Sequence, residues 1–102
     1  MELYDLLQPE AVKVVAAASS KKRVLHDMAQ LAANCYNMRS EVLLEALLER
    51  EKLGPTGVGH GVALPHARSI DVDRVCGAFI LLESPVDFGS VDKLPVDIIF
   101  GL

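Results

Sequence analysis

The residue best suited to chemistry in this chain is His66, which follows Pro65 at the end of the short apolar run Val62–Leu64. A proline fixes its own backbone angle, so the chain entering the histidine is restrained. A strand ending here would leave the imidazole at the rim of a sheet, with one ring nitrogen directed outward. A neutral ring nitrogen held in this way can attack an electrophile. His66 is therefore a candidate nucleophile.

The segment before this run, Gly54–Gly61, contains four glycines. Small residues and free backbone N–H groups would let an anion approach. Arg50 and Arg68 add fixed positive charge nearby in the sequence. Together with His66, these residues indicate phosphoryl chemistry. A surface histidine beside an ordinary glycine-proline loop is the alternative interpretation of the same residues.

Other chemistries fit the glycine-rich segment poorly. A P-loop needs a lysine and a hydroxyl residue after its last glycine, whereas His60 and Gly61 follow Gly59. A dinucleotide-binding fingerprint opens a helix after a strand, whereas these glycines follow a predicted helix. His60 and His66 have no further Cys or His close by, so we expect neither a metal nor a cofactor. A hydrolase nucleophile motif is also absent from the sequence.

The composition is that of one globular domain, residues 1–102, because 51% of the residues are hydrophobic. A net charge of −4, without a long basic cluster, argues against nucleic-acid binding. Cys35 and Cys76 lack the spacing of a disulfide framework or a zinc site, so both are expected to be small buried residues. Neither a signal peptide nor an apolar run of bilayer length is present, which predicts a cytoplasmic protein without membrane insertion.

The first half of the chain predicts one strand and two helices. Val12–Val15 alternates weakly, as an edge strand would. Ser19 and Ser20 can cap a helix. Its apolar stripe is formed by Val24, Leu25, Met28, Leu31, Ala32 and Cys35. A second helix is predicted to begin at Ser40 and to stop at Gly54.

The second half predicts two buried strands. Arg74–Glu83 is apolar on both alternating faces, as in a central strand covered by helices on both sides. Ser84–Gly89 is predicted to be an irregular connection, and Val96–Leu102 to be another strand. Because the chain ends inside an apolar strand, we expect C-terminal elements to be missing. The predicted fold class is α/β, a mixed β-sheet flanked by α-helices in an α/β sandwich.

The segment Arg50–Arg68 closely resembles the signature of the fructose/mannitol-type enzyme IIA domains of the bacterial phosphoenolpyruvate-dependent phosphotransferase system. The flanking segments that resemble the nitrogen-regulatory branch of this family are Leu6–Glu10, Pro85–Phe88 and Pro95–Phe100. The resemblance covers essentially the whole chain. It departs from the family pattern at His60, where a small polar residue is expected. The family's second active-site histidine would come from a segment after Leu102.

The resemblance implies that His66 is phosphorylated by a histidine-containing phosphocarrier protein and that Arg50 is the active-site arginine. The residues expected to bind the substrate or shape its pocket are Thr56, Gly57, Gly59 and Arg68. The implied function is that of a phosphoryl-accepting regulatory IIA protein, a phosphotransferase component with a phosphohistidine intermediate. A sugar-specific component that passes phosphate to a permease, and a module that regulates by binding alone, are the alternatives. Implied partners downstream are a sensor kinase, an ion transporter or a IIB domain.

Overall fold

A computed structural model describes residues 7–15, 20–67, 77–90 and 92–101. In chain order the elements are β1 (Leu7–Val15), α1 (Lys21–Tyr36), α2 (Ser40–Leu53), β2 (Gly57–Gly59), β3 (Val62–Ala63), β4 (Gly77–Val86) and β5 (Val96–Gly101). The described strands form one sheet in the order β1-β4-β5-β3-β2. β1 is parallel to β4 and β3 is parallel to β5, whereas β4/β5 and β2/β3 are antiparallel. The predicted mixed α/β sheet and the edge position of the first strand are confirmed.

Helix α1 begins at a serine cap, as predicted. The Ser20 hydroxyl accepts a hydrogen bond from the Arg23 backbone N–H at 3.2 Å, which satisfies one of the unpaired donors at a helix start. The helix ends at Asn37, whose φ of 56° is left-handed. Its buried residues are Val24, Leu25, Met28, Ala29, Ala32 and Ala33. The apolar stripe therefore packs into the core, while Ser19 lies outside the described residues.

Helix α2 has the predicted bounds and packs against α1. It begins at Ser40, carries Glu41 in its first turn, and ends just before Gly54. An acidic residue near the helix start is favourable because the backbone dipole is positive there. Leu43 and Leu47 are the buried residues of this helix and belong to the same core cluster as α1. The end of α2 is thus held at a fixed place beside the glycine-rich segment.

One face of the sheet carries the core. Ile80 lies opposite Ile99, which lies opposite Ala63, and all three are fully buried. Met28 of α1 packs on the same face against Gly101, where an added Cβ would lie 2.7 Å from the Met28 Sδ. A residue larger than glycine would therefore require the Met28 side chain to move.

The opposite face of the sheet is only partly covered in the described part of the chain. Val14 lies beside Leu81 in the register, and the two residues are 57% and 38% exposed. The neighbouring rings of Phe79 and Phe100 meet edge to face with 6.4 Å between centroids. The sequence predicts that helices cover β4 on both faces. Among the described residues, helix packing is seen only on the face that carries Ile80.

Strand β4 ends later than the sequence predicts. It runs through Ser84 and Pro85 to Val86, which pairs with Val96, so the predicted irregular connection at Ser84–Val86 is wrong. The β4–β5 register shifts between Leu81 and Val86, and such an irregularity accommodates a proline inside a strand. The start predicted at Arg74, and Cys76, lie outside the described residues.

Cys35 is half-buried and packs against the core. Burial raises the pKa of its thiol, and the charge of Glu10 adds to this effect. A thiol with a raised pKa stays protonated and is a poor nucleophile. This agrees with the predicted role of Cys35 as a small packing residue.

Candidate active site

His66 projects from the end of a hairpin that is attached to the sheet. The hairpin consists of β2 and β3, and β3 pairs with β5 through Val62 and Ile98. Pro65 is fully buried, whereas His66 is exposed. The buried proline therefore fixes the backbone directly beside an imidazole that stays open to solvent, which is the arrangement expected from the sequence.

Two hydrogen bonds hold the His66 ring. Its Nδ1 lies 3.0 Å from the Leu64 carbonyl oxygen, and its Nε2 lies 3.0 Å from Arg50 Nε. A carbonyl oxygen can only accept, so Nδ1 must carry the ring proton that it donates to Leu64. In the neutral ring, Nε2 then holds a lone pair, which accepts the Arg50 N–H. The structure thus brings His66 and Arg50 together and defines one tautomer of the ring.

Arg50 reaches His66 from the last turn of α2. Its Nη1 donates to the Gly54 carbonyl oxygen at 2.9 Å, which is one of the unpaired carbonyls at a helix end. A positive charge is favourable at this end of the helix dipole. The guanidinium is therefore held at both the helix end and the imidazole, with further N–H donors left for an anion.

The predicted pocket residues contact other residues of the protein in the described structure; these residues are Thr56, Gly57 and Gly59. Thr56 is 4% exposed, and its hydroxyl donates to Glu51 Oε1. A Cβ at Gly57 would collide with the Ser90 side chain, and one at Gly59 would lie 3.2 Å from Asp92 Oδ2. Ser90 Oγ is buried and has no hydrogen-bond partner among the described residues. The glycines thus allow the hairpin to approach the β4–β5 connection closely.

The sequence-based expectation of free backbone N–H groups in this segment is wrong at three positions. The N–H groups of Gly54, Thr56 and His60 donate to the Glu51 carbonyl, the Glu51 carboxylate and the Asp92 carboxylate, respectively. An anion near His66 therefore meets the side chain of Arg50 and not a cradle of these amides. Arg68, the other predicted cation, lies outside the described residues.

His60 lies in a tight turn, and neither described hydrogen bond of the His66 ring involves it. His60 and Gly61 have φ values of 57° and 77°, and together they form the two-residue connection between β2 and β3. Positive φ at both positions is the geometry of a type I′ hairpin turn, which favours Asn-Gly. Histidine is among the side chains that enter this left-handed region more readily than most. This explains the departure from the expected small polar residue in conformational terms.

Substitutions at His60 should affect stability according to how readily the new residue adopts left-handed backbone, and they should not affect labelling. We expect His60→Asn to keep the free energy of unfolding within about 0.5 kcal/mol of the wild type, because asparagine adopts left-handed backbone easily. His60→Val should lower it by about 1 to 2 kcal/mol, since a β-branched residue is strained there. Urea unfolding followed by circular dichroism measures both values. Equal midpoints for Asn and Val would contradict the turn assignment.

Asp92 fastens this turn to the β4–β5 connection. Its Oδ2 accepts the His60 N–H at 2.9 Å, and its Oδ1 accepts the Leu94 N–H at 3.1 Å. The hydrogen bond from the His60 backbone is the main cause that lowers the pKa of the Asp92 carboxyl below its ordinary value. The hydrogen bond from the Leu94 backbone lowers the pKa further. The folded state therefore favours the ionised carboxylate.

This pKa shift predicts part of the acid sensitivity of the fold. The stabilisation by Asp92 is present above the unfolded-state pKa of about 3.9 and is lost as the pH falls through the lower folded-state value. We expect Asp92→Asn to be less stable than the wild type at neutral pH and to converge with it at the acid end. Urea midpoints measured from neutral to acid pH test this. A constant difference at every pH would exclude a contribution from Asp92 ionisation.

Two charged residues behind the site were not predicted from the sequence. Glu51, next to Arg50, has a side chain only 7% exposed and lies 2.5 Å from Lys21 Nζ. Lys21 is the first residue of α1, and Glu51 lies in the last turn of α2. Each charge therefore stands at the end of its helix where the dipole disfavours it. Two charges at unfavourable helix ends were the signal in the sequence that Lys21 and Glu51 form an ion pair.

Within the described ranges, no three His, Cys, Asp or Glu side chains are placed to share a metal ion. In the same part of the chain, no helix combines the length and apolar character needed to cross a bilayer.

Comparison with known proteins identifies relatives over the whole chain. The profile of the family described as phosphoenolpyruvate-dependent sugar phosphotransferase system, EIIA 2, matches residues 5–102. A nitrogen regulatory protein of Bradyrhizobium diazoefficiens is 41% identical over 102 residues, which are 100% of this chain and 67% of the relative. The crystal structure of the nitrogen regulatory protein IIA-Ntr from Neisseria meningitidis is similar with a TM-score of 0.88 and 36% identity, covering 95% of this chain and 66% of that one.

A third comparison extends the fold to sugar-specific proteins. The complex of mannitol enzyme IIA with phosphorylated mannitol enzyme IIB from Escherichia coli matches with a TM-score of 0.77 at 24% identity, covering 94% of this chain and 69% of that one. This similarity shows the shared fold. The chain spans about two thirds of the length of these relatives. On the profile match and the identity to nitrogen regulatory proteins, the chain belongs to the EIIA-2 family of the phosphoenolpyruvate-dependent phosphotransferase system.

Proposed function

We propose that this protein accepts a phosphoryl group on Nε2 of His66 from a histidine phosphocarrier protein, within a phosphoenolpyruvate-dependent relay. The observation that carries the proposal is the pair of hydrogen bonds on the ring, from Nδ1 to the Leu64 carbonyl and from Arg50 Nε to Nε2, each 3.0 Å. A ring fixed in this way offers one nucleophilic nitrogen, and a guanidinium is already beside it.

In the proposed step, the Nε2 lone pair attacks the phosphorus of the donor phosphohistidine. The new Nε2–P bond forms while the donor N–P bond breaks, and the donor imidazole leaves with the electron pair of that bond. His66 keeps its Nδ1 proton throughout, so the product ring is cationic. The Leu64 carbonyl stabilises that charge through the existing Nδ1–H hydrogen bond.

Arg50 changes partner during this step. At rest its Nε–H occupies the Nε2 lone pair, so this hydrogen bond must open before phosphorus can approach. The released N–H then points at the equatorial phosphoryl oxygens, while Nη1 is anchored by Gly54. A planar guanidinium can contact two oxygens of the transferred group, and such placement supplies most of the catalysis in phosphoryl transfer.

The comparisons favour the regulatory branch of the family, and we propose a cytoplasmic location. The relatives with 36% to 41% identity carry the name nitrogen regulatory protein, whereas the similarity to mannitol enzyme IIA rests on fold. The proposed upstream partner is a phosphocarrier protein, and a sensor kinase or an ion transporter is the proposed class of target. Phosphate transfer to a IIB domain would support the sugar-transport alternative instead. Direct binding of substrate by Thr56, Gly57, Gly59 or Arg68 stays a prediction.

A reconstituted relay tests the proposed function. The protein is incubated with phosphoenolpyruvate, enzyme I and a phosphocarrier protein, and the gain in mass is measured. We expect one phosphoryl group per chain, labile in acid and stable in alkali, as phosphohistidine is. A reaction that omits the phosphocarrier is the control and should give no label. An unmodified mass in the complete reaction would refute the proposal.

A further inference from the structure

The carboxylate of Glu51 lies where α1, the end of α2 and the start of the hairpin meet. Its side chain is 7% exposed and 2.5 Å from Lys21 Nζ. On the hairpin side, the Thr56 N–H donates to Glu51 Oε2 at 3.1 Å, and the Thr56 hydroxyl donates to Oε1. Both carboxylate oxygens are therefore occupied, and two of the three donors belong to Thr56.

Helix stability does not account for these two charges. Lys21 stands at the positive end of the α1 dipole, and Glu51 stands near the negative end of the α2 dipole. Burial of a carboxylate also costs free energy unless it is paired. Lys21 Nζ further donates to the Phe88 carbonyl oxygen at 3.2 Å and lies 5.3 Å from the centroid of its ring. The two charges therefore link α1 and α2 to the segments that contain Thr56 and Phe88.

Further hydrogen bonds connect Thr56 to the proposed nucleophile, His66. The Thr56 carbonyl oxygen accepts the Leu64 N–H at 2.9 Å, and the Leu64 carbonyl oxygen accepts the His66 Nδ1–H at 3.0 Å. A hydrogen-bonded path therefore runs from Glu51 through Thr56 and Leu64 to His66. Arg50, the other partner of the ring, is the residue next to Glu51 in α2. The Glu51 carboxylate therefore lies behind the Leu64 contact of the imidazole and is adjacent in sequence to the residue that makes the other contact.

We infer that Glu51 is a positioning residue for phosphoryl transfer, which fixes Thr56 so that the Leu64 carbonyl holds His66 in its Nδ1–H tautomer. This inference rests on the proposed function for its effect on rate. The tautomer itself is a property of the unphosphorylated protein. When the carboxylate is lost, the hairpin base shifts, the Leu64 carbonyl moves off the ring, and Nε2 no longer presents a lone pair in every molecule.

Glu51→Gln is the test, and Glu49→Gln is its matched control. Glutamine has the same size but can no longer accept on both terminal atoms. Glu49 lies on the same helix, pairs with Lys52 at 3.1 Å, and has a side chain 66% exposed. We expect Glu51→Gln to reduce the maximal rate of phosphoryl acceptance at least roughly tenfold while changing the KM for the phosphorylated carrier less than about twofold, because small misplacements of reacting groups are costly. Glu49→Gln should match the wild type.

The second readout is the ¹⁵N NMR spectrum of His66 in the unphosphorylated protein, at a pH alkaline enough to keep the ring neutral. The wild type and Glu49→Gln should show the Nδ1–H form, and Glu51→Gln should show a mixture of tautomers. If Glu51→Gln does not fold, Thr56→Ala removes only the hydroxyl contact to Glu51 and should give the same change to a smaller extent.

The two readouts separate the two claims. A wild-type protein that takes no phosphate would refute the proposed function, while the NMR arm would still decide the role of Glu51. An unchanged tautomer in the folded Glu51→Gln protein, or in Thr56→Ala where the former does not fold, would overturn the inference. An unchanged maximal rate with an altered tautomer would also overturn it, since the positioning would then have no consequence for transfer.

Discussion

His66→Ala will abolish phosphoryl acceptance and leave the fold intact. The exposed imidazole is the proposed nucleophile, and its truncation removes only two hydrogen bonds from the rim of the sheet. Both bonds lie at the exposed rim, where water can replace a lost partner, so the free energy of unfolding should fall by less than about 2 kcal/mol and the variant should still fold. Mass spectrometry after incubation with the complete relay measures acceptance, and circular dichroism measures folding.

His26→Ala is the matched control for this substitution. His26 is an exposed histidine on α1, with a side chain 46% exposed, and belongs to another part of the surface. Its replacement should leave the label at the wild-type level. Undiminished labelling of His66→Ala would show that another residue carries the phosphoryl group.

Arg50→Lys will slow phosphoryl transfer roughly 10- to 100-fold although the charge is conserved. The arginine side chain contacts Nε2 of His66 and the Gly54 carbonyl at the same time. A lysine ammonium is a point charge that cannot make both contacts and also offer a planar pair of donors to the phosphoryl oxygens. Single-turnover transfer from the phosphorylated carrier, measured over a range of salt concentrations, should show the loss at every concentration.

Arg23→Lys provides the control for Arg50→Lys, because Arg23 is an exposed arginine of α1 that pairs with Asp27 at 3.3 Å. It should leave the rate unchanged. From the sequence we expect Arg68→Lys, at most, to weaken encounter with the partner at low salt, where charge steering is strongest. A larger loss of rate in Arg68→Lys than in Arg50→Lys would assign the phosphate clamp to Arg68.

The parts of the site that sequence could predict are those set by local pattern. The apolar stripe of α1, the Ser20 cap and the glycine after α2 fix the helices, and the end of α2 brings Arg50 to its place. Pro65 after a short apolar run indicated an exposed His66 at a strand end, and the structure has that arrangement. In each case, the information lies within a few residues.

The features that sequence missed depend on contacts between distant segments. β2 and β3 have three and two residues, too short for a periodic pattern, and His60-Gly61 is a less familiar hairpin signal than Asn-Gly. The buried Glu51 carboxylate is paired with Lys21, 30 positions away in the chain. β4 continues beyond Leu82, where its described pairing with β1 ends, so Pro85 interrupts none of the described pairs with that neighbour.

The most direct test of the central claim is to identify the nitrogen that carries the phosphoryl group. The protein, labelled with ¹⁵N-histidine, is phosphorylated through the complete relay, and the coupling between phosphorus and the ring nitrogens is measured by NMR. The hydrogen bond from Nδ1 to the Leu64 carbonyl predicts a single phosphohistidine at His66 with the bond at Nε2. A phosphoryl group at Nδ1 of His66, or on any other residue, would contradict it.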